Sequence, residues 1–209
     1  MANPSINLGN GNWSVKESKL LGSRPIKDKI APIEFDVTRA STATRVNKQG
    51  LIETVNSNIA RIDYSSDAKG ALLLEPQSTN LITYSEDFSN SYWSKSGASV
   101  VSGFTSPDGT ANAFKLVEDT STGNHNIYSN NVSVTVGSNY TYSCYVKIGE
   151  RSIVRIDGGY RLSIDATFNL NTLVVTGTGT IESLSNGWFR LTATGTGDLS
   201  TGNTNLFTY

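Results

Sequence analysis

From Leu81 to Tyr209, short β-branched and aromatic runs alternate with Gly- and Asn-rich turns. The runs are NLITYS, ANAFKLVED, HNIYSNNVSVTV, NYTYSCYVKI, SIVRID, IDATFNL, LVVTGTGTIESL, WFRLTAT and TNLFTY, divided by SPDGT, DTSTGN, VGSN, IGERS, LNT, SNG and STGN. Strands of this length and spacing argue for a β-sandwich or barrel. Ser, Thr, Asn and Gly supply 89 of the 209 residues and strong helix formers are scarce, so propensity points the same way. Alternation in YTYSCYVKI places Tyr140, Tyr142, Cys144, Val146 and Ile148 on a core face. Thr141, Ser143, Tyr145 and Lys147 fall on the other, a small, aromatic and cationic set.

The first 80 residues are less regular. Residues 1–34 show little periodicity and read as an N-terminal arm, with Ile6, Leu8, Trp13, Val15, Leu20 and Leu21 as apolar anchors. IEFDVTRAST alternates through Ile33, Phe35 and Val37. ATRVNKQGLIETV reads as a hairpin with Asn47 to Gly50 in its turn, and ARIDY and GALLLEP follow as short extended pieces. The expected division is residues 1–80, an arm and short-stranded wrapping segment, and residues 81–209, the main β domain.

Charge and cysteine content narrow the function classes. Net charge is −1 and no basic stripe is present, which argues against nucleic acid as a partner. Cys144 is the single cysteine, so no intramolecular disulfide forms, and its alternating context reads as a small buried hydrophobe. No basic stretch followed by an apolar run opens the sequence, and no run approaches the ~20 residues that span a bilayer. The expectation is a chain made in the cytoplasm without a signal peptide and without membrane insertion.

Catalytic chemistry finds few footholds. The only histidine, His125, lies in TGNHN and reads as an exposed turn residue; no GxSxG elbow is present, and one His with one Cys does not make a zinc site. The Gly-Thr runs VTGTGTIE and ATGTGDLSTGN read as bulged strands and turns, not phosphate loops. The adjacent acids Glu86–Asp87 and Glu118–Asp119 would point to opposite faces of a strand, so neither forms a glycosidase pair alone; a long-range pair such as Glu86 with Asp157 stays open. Glu86, Asp87, Asp108, Glu118, Asp119 and Asp198 are oxygen ligands in or near turns, open to a structural calcium gathered from separate loops.

The remaining candidate is an aromatic platform. A pyranose packs its C–H face on a ring while side chains bond its hydroxyls. Tyr92, Trp93, Tyr128, Tyr145 and Tyr160 are the candidate rings, with Arg155, Asp157 and Arg161 as polar partners near Tyr160. Trp188, after the SNG turn, reads as core.

The strings FDVTRASTATRVNKQGLIETV, RIDY and LLLEPQSTNLITYSEDFSNSYW resemble a segment of bacteriophage tail-fibre, head-fibre and other appendage proteins. SPDGTANAFKLVED, VSVTVGSNYTYSCYVKIGERS, ATFNL and IESLSNGWFRLTATGTG are similar to the jelly-roll module that follows in such proteins, itself similar to carbohydrate-binding modules of the family 4 and 9 type. Residues 33–209 are covered, the first strings more specifically than the module. The resemblance implies a non-enzymatic virion domain with a two-sheet jelly roll, working outside the cell in adhesion to a polysaccharide or cell-surface glycan. It implies that NLITYSEDF is the first strand and that Glu86 and Asp87 approach a structural calcium, with no other cofactor. Such modules continue past NLFTY into a further strand. A chain without it would expose a sheet edge, which favours a homo-oligomer such as a trimer or strand-exchanged dimer. The alternatives are an assembly domain without a glycan site and, third, a glycan-degrading enzyme.

Overall fold

The computed structural model describes residues 14–16, 19–26, 29–76, 78–129, 132–159, 161–198 and 204–208, with backbone alone for 14–35 and 204–208. The chain divides into two compact units, Met1–Ser78 and Thr79–Tyr209. Both are built from antiparallel strands, and among the described residues there is no α-helix.

The first unit opens with β1 (Ser14–Lys16), β2 (Lys19–Ile26) and β3 (Lys29–Phe35), an antiparallel meander where the sequence suggested an arm. The anchor side chains named for that arm lie outside the described ones. A hairpin follows, β4 (Ala43–Val46) with β5 (Ile52–Val55), as its alternation foretold. Asn47 Oδ1 accepts from the backbone N–H of Gln49 and of Leu51, both at 3.0 Å, which fixes the turn. The short pair β6 (Ile62–Asp63) and β7 (Ala71–Leu72) carries a small core in which Val37, Tyr64 and Leu72 pack on Ala60 and Ile62. Gly70 is obligatory there: its φ is +77°, and a Cβ would stand 2.6 Å from Tyr64 Cε1.

Asp63 ties the hairpin to this pair. Its Oδ2 accepts from Val46 N–H at 2.7 Å, and its Oδ1 from Ser65 N–H at 2.9 Å and from the Ser65 hydroxyl. Burial opposes the charge of Asp63, but these hydrogen bonds and the nearby Arg61 outweigh it and hold the carboxyl below its ordinary range.

The second unit contains β8 (Trp93–Ser96), β9 (Ala98–Phe104), β10 (Ala113–Glu118), β11 (His125–Ser129), β12 (Asn139–Lys147), β13 (Ile153–Asp157), β14 (Asp165–Asn169), β15 (Val174–Gly177), β16 (Gly179–Ser183), β17 (Trp188–Thr196) and β18 (Thr204–Thr208). Six strands make one sheet in the order β15-β14-β13-β18-β11-β8; β12-β17-β16 make a second, and β9 pairs β10. Their inner faces share one core. Val154, Ile156, Ala166, Phe168, Ile127 and Trp93 come from the six-stranded sheet and Leu191 and Ala193 from the three-stranded one, with Val100 and Leu116 of β9–β10 packed against them. This arrangement is consistent with a β-sandwich.

β12 follows its predicted alternation: Tyr140, Tyr142, Cys144 and Val146 pack on the core, while Tyr145 is 41% exposed. Ile148 departs from it, because the strand ends at Lys147 and Ile148 turns outward. Burial raises the Cys144 thiol to about 12, so it is an inert core group.

NLITYS is not a strand. Residues 83–86 are turn, and the first strand of this unit is β8. Short polar side chains take over the backbone there: Asn80 Oδ1 accepts from Ile82 N–H, Asp87 Oδ1 from Ser89 N–H and Asn90 Oδ1 from Tyr92 N–H. ASVVSGF, passed over in the sequence, forms β9. β18 pairs β11 on one side and β13 on the other, inside the six-stranded sheet.

The hairpin β14–β15 carries a misfit. Leu173 sits at φ +56° with 52% of its surface exposed, a conformation that L side chains adopt at a cost of about 1–2 kcal/mol. Leu173→Gly removes that cost and adds some unfolded-state entropy. The expected result is a net gain of about 0.5–1 kcal/mol, read as a rise in the denaturant midpoint. A lowered midpoint would show that the Leu173 side chain stabilises the turn.

Candidate ligand-binding face

On β13, Val154 and Ile156 point into the core, so Arg155 and Asp157 point out. Register sets Arg155 opposite Thr167 and Asp157 opposite Asp165. Arg155 reaches diagonally to Asp165, Nε donating to Oδ1 at 2.7 Å and Nη2 to Oδ2 at 2.9 Å. Its Nη2 is also 2.9 Å from Asp157 Oδ2. Asp157 Oδ1 accepts from Gly159 N–H at 2.6 Å. The hydrogen bond from Arg155 holds the Asp165 carboxyl below its usual range; its partial burial opposes this, and the Arg155 charge adds to it. One guanidinium thus orients two carboxylates on the sheet surface.

The same face continues across β18. Asn205 is the Cα partner of both Asp157 and Tyr128, and Phe207 of both Arg155 and Asn126. Ile127 faces the core, so Asn126 and Tyr128 share the outer side with Arg155 and Asp157. Two strand spacings, about 10 Å, separate the Tyr128 and Asp157 backbones. Tyr128 is half-buried. Asn126 is 8% exposed, and its Oδ1 has no hydrogen-bond partner among the described residues. The face therefore offers a ring and oriented carboxylates, with the Asn126 amide oxygen buried beneath it.

The structure scatters the other predicted residues. Trp93 is 3% exposed and belongs to the core, so its ring is closed to any ligand; it is corrected here from platform to core. Tyr92 stands edge-on to Trp93 at 5.4 Å and near Tyr84 at 5.7 Å, half-buried against the core. Tyr145 occupies the outer face of the three-stranded sheet, across the core from Tyr128. Arg190 is opposite it, 4.0 Å from Glu182. Arg161 is 6% exposed, in the loop after Asp157. Tyr160 lies outside the described residues. Trp188 is buried, yet its register with Lys147 sets it opposite the core-facing row of β17.

Asp165 and Asn126 were missed. RIDGGYRLSID does carry a signal for Asp165, because a hairpin closed by GGYRLSI pairs its two flanking aspartates.

His125 is not an exposed turn residue. It opens β11 half-buried, with Nδ1 2.6 Å from Gly97 O and 3.7 Å from Asp119 Oδ1. Glu118 is held by Arg151, Nη2 donating to Oε2 at 2.7 Å. Glu86 is exposed and Asp87 half-buried, and Asp87 is held below its usual range first by the Ser89 hydroxyl, which donates to it at 2.5 Å. Among the described residues no group of three or more His, Cys, Asp or Glu side chains is gathered to hold a metal. No protein-family model matches the chain, and no curated protein matches it.

Proposed function

We propose that the chain is a non-catalytic carbohydrate-binding domain of a phage or viral structural protein, its second unit a jelly-roll sandwich. It works at the virion surface on a polysaccharide or cell-surface glycan. The observation that carries this reading is the oriented set Arg155, Asp157 and Asp165 on one outer face with Tyr128. Sugar hydroxyls donate to fixed carboxylates, and a ring beside them takes a sugar C–H face. Groups held in advance lose little freedom on binding, which favours affinity from few contacts. Asp157 and Asp165 both bind one guanidinium, which holds Asp165 below its usual range and so removes the raised-pKa acid a glycosidase needs; this is the reason for reading the face as a binder.

The test is affinity electrophoresis through gels containing a range of polysaccharides, with and without chelator. Tyr128→Ala and Arg155→Ala are each expected to reduce retention about tenfold, the effect of ~1.4 kcal/mol. Tyr145→Ala, on the other face, is expected to leave it unchanged. Retention by no polysaccharide would reject the reading. Retention lost with Tyr145→Ala alone would move the site to the three-stranded sheet.

A further inference from the structure

We infer that the glycan taken by this face carries free amino groups, and that Asp157 and Asp165 receive the sugar ammonium. The inference rests on the glycan-binding reading and names the sugar class that reading leaves open. The two aspartates are Cα partners across the β13–β14 ladder. Like charges directly opposite each other on one sheet face repel. Arg155 answers both, and among the described residues no second cation pairs with either. One guanidinium against two carboxylates leaves one formal negative charge at this point of the sheet.

Nothing else outward on that sheet offsets the charge. Trp93, Ile127, Val154, Phe168 and Val175 pack on the core, so alternation turns their strand neighbours outward. Apart from the Arg155 group, the described outward positions, among them Ser94, Tyr128, Thr167 and Thr176, carry no charge. Lys95 falls on the Trp93 side of β8 and reaches Asn90 O at 3.4 Å. A uronate arriving here meets a negative charge, and a neutral sugar leaves that charge unanswered.

The open hydrogen-bonding capacity selects the same ligand. Arg155 Nε and Nη2 are spent on Asp165, and Nη2 is also 2.9 Å from Asp157 Oδ2, while Gly159 N–H donates to Asp157 Oδ1. Each carboxylate oxygen therefore has one donor. A carboxylate offers about four lone-pair sites, so roughly two remain on each aspartate. Asp165 turns its own to solvent, with its side chain 62% exposed. An ammonium brings several donors together with the missing positive charge, and its bonds to a carboxylate are charge-assisted. Arg155 keeps the two carboxylates aimed, which is why its removal costs retention although it removes a competing positive charge.

The experiment uses the full chain and two bead matrices with one sugar backbone: chitosan, and chitosan after complete N-acetylation, which removes the amine charge. Depletion of protein from solution gives the affinity for each. It is measured at mildly acidic pH, where the sugar amine is protonated and Arg155 still holds the Asp165 carboxyl below its usual range. Wild type is expected to bind the amine matrix about tenfold more tightly than the acetylated one. Asp165→Asn is expected to lose that preference, and melting curves check that its fold is kept. Glu182→Gln makes the same charge change on the three-stranded sheet and is expected to bind as wild type does. Equal losses in the two variants, or equal depletion by polylysine beads, would mean attraction of charge without a sugar site and overturn the proposal. Equal binding to both chitosan matrices, or binding to the acetylated one alone, overturns it and leaves the glycan reading intact. Depletion by neither matrix overturns it as well, and the glycan reading falls with it only if the polysaccharide gels also retain nothing.

Discussion

Trp93→Ala is expected to destabilise the second unit by about 4 kcal/mol, a large share of the ~5–15 kcal/mol that holds a domain of this size. Trp93 is 3% exposed within the core cluster. Its ring lies 5.0 Å from Phe88 and 5.4 Å from Tyr92, so truncation opens a cavity lined by aromatic faces that cannot collapse together. It also removes the indole N–H that donates to Tyr84 O at 2.8 Å, one of the ties between β8 and the turn segment before it. Trp93→Phe separates the two terms, since it keeps most of the packing and loses the N–H; the expected cost is about 1–2 kcal/mol. Both are read from denaturant midpoints at constant slope. A surface stacking residue would change stability by less than about 0.5 kcal/mol. A result that small would return Trp93 to the list of ligand rings.

What the sequence revealed depended on whether a signal was local. The turn at Asn47 was legible because one side chain closes it over four residues. The faces of β12 were legible because period-2 alternation is a property of consecutive residues. NLITYS carries an apolar pattern that a strand would share, but Asn80, Asp87 and Asn90 around it bind their own backbone in preference to a ladder. VSVTV misled in a related way. Val132 and Val134 are buried as an alternating strand would bury them, yet they join no ladder among the described residues, because burial pattern encodes a face and not a ladder.

The candidate site follows the same division. Sequence proximity links Arg155 and Asp157 to Tyr160. Their actual companions, Asp165 and Tyr128, are set by strand order and register, which place β18 between β13 and β11. A crossover of that kind is a long-range choice that no window of residues contains. Trp93 differs for the opposite reason: turn residues around it suggest exposure, whereas its ring is buried and its N–H donates to the carbonyl of Tyr84 in the turn.

In the first unit the residue expected to matter most is charged. Arg39 donates from Nε to Ser41 O at 2.8 Å, from Nη1 to Ile59 O at 2.9 Å, and from Nη2 to Val55 O at 3.0 Å and to Asn56 O. Its backbone exchanges two more bonds with Asn58, which sits at φ +60°. Burial, and then the charge of Arg61, lower its pKa, but an arginine stays ionised throughout the working range. Its fork thus gathers the carbonyls that leave β5 with the segment that enters β4. The apolar core here is small, Ala60 and Ile62 with three partners, so little else holds these turns. Arg39→Met keeps the aliphatic stem and removes every side-chain donor. The expected cost is about 3 kcal/mol, from charge-assisted bonds to partly buried carbonyls. Arg39→Lys is expected to recover less than half of that, because an ammonium cannot span acceptors spaced for a guanidinium. The measurement is amide hydrogen exchange across Ala43–Leu72, where about 3 kcal/mol appears as a rise of roughly a hundredfold in the exchange of protected sites. Unchanged exchange in Arg39→Met would mean that the hairpin and its small core suffice to hold these turns, and that the four carbonyls are as well served by water.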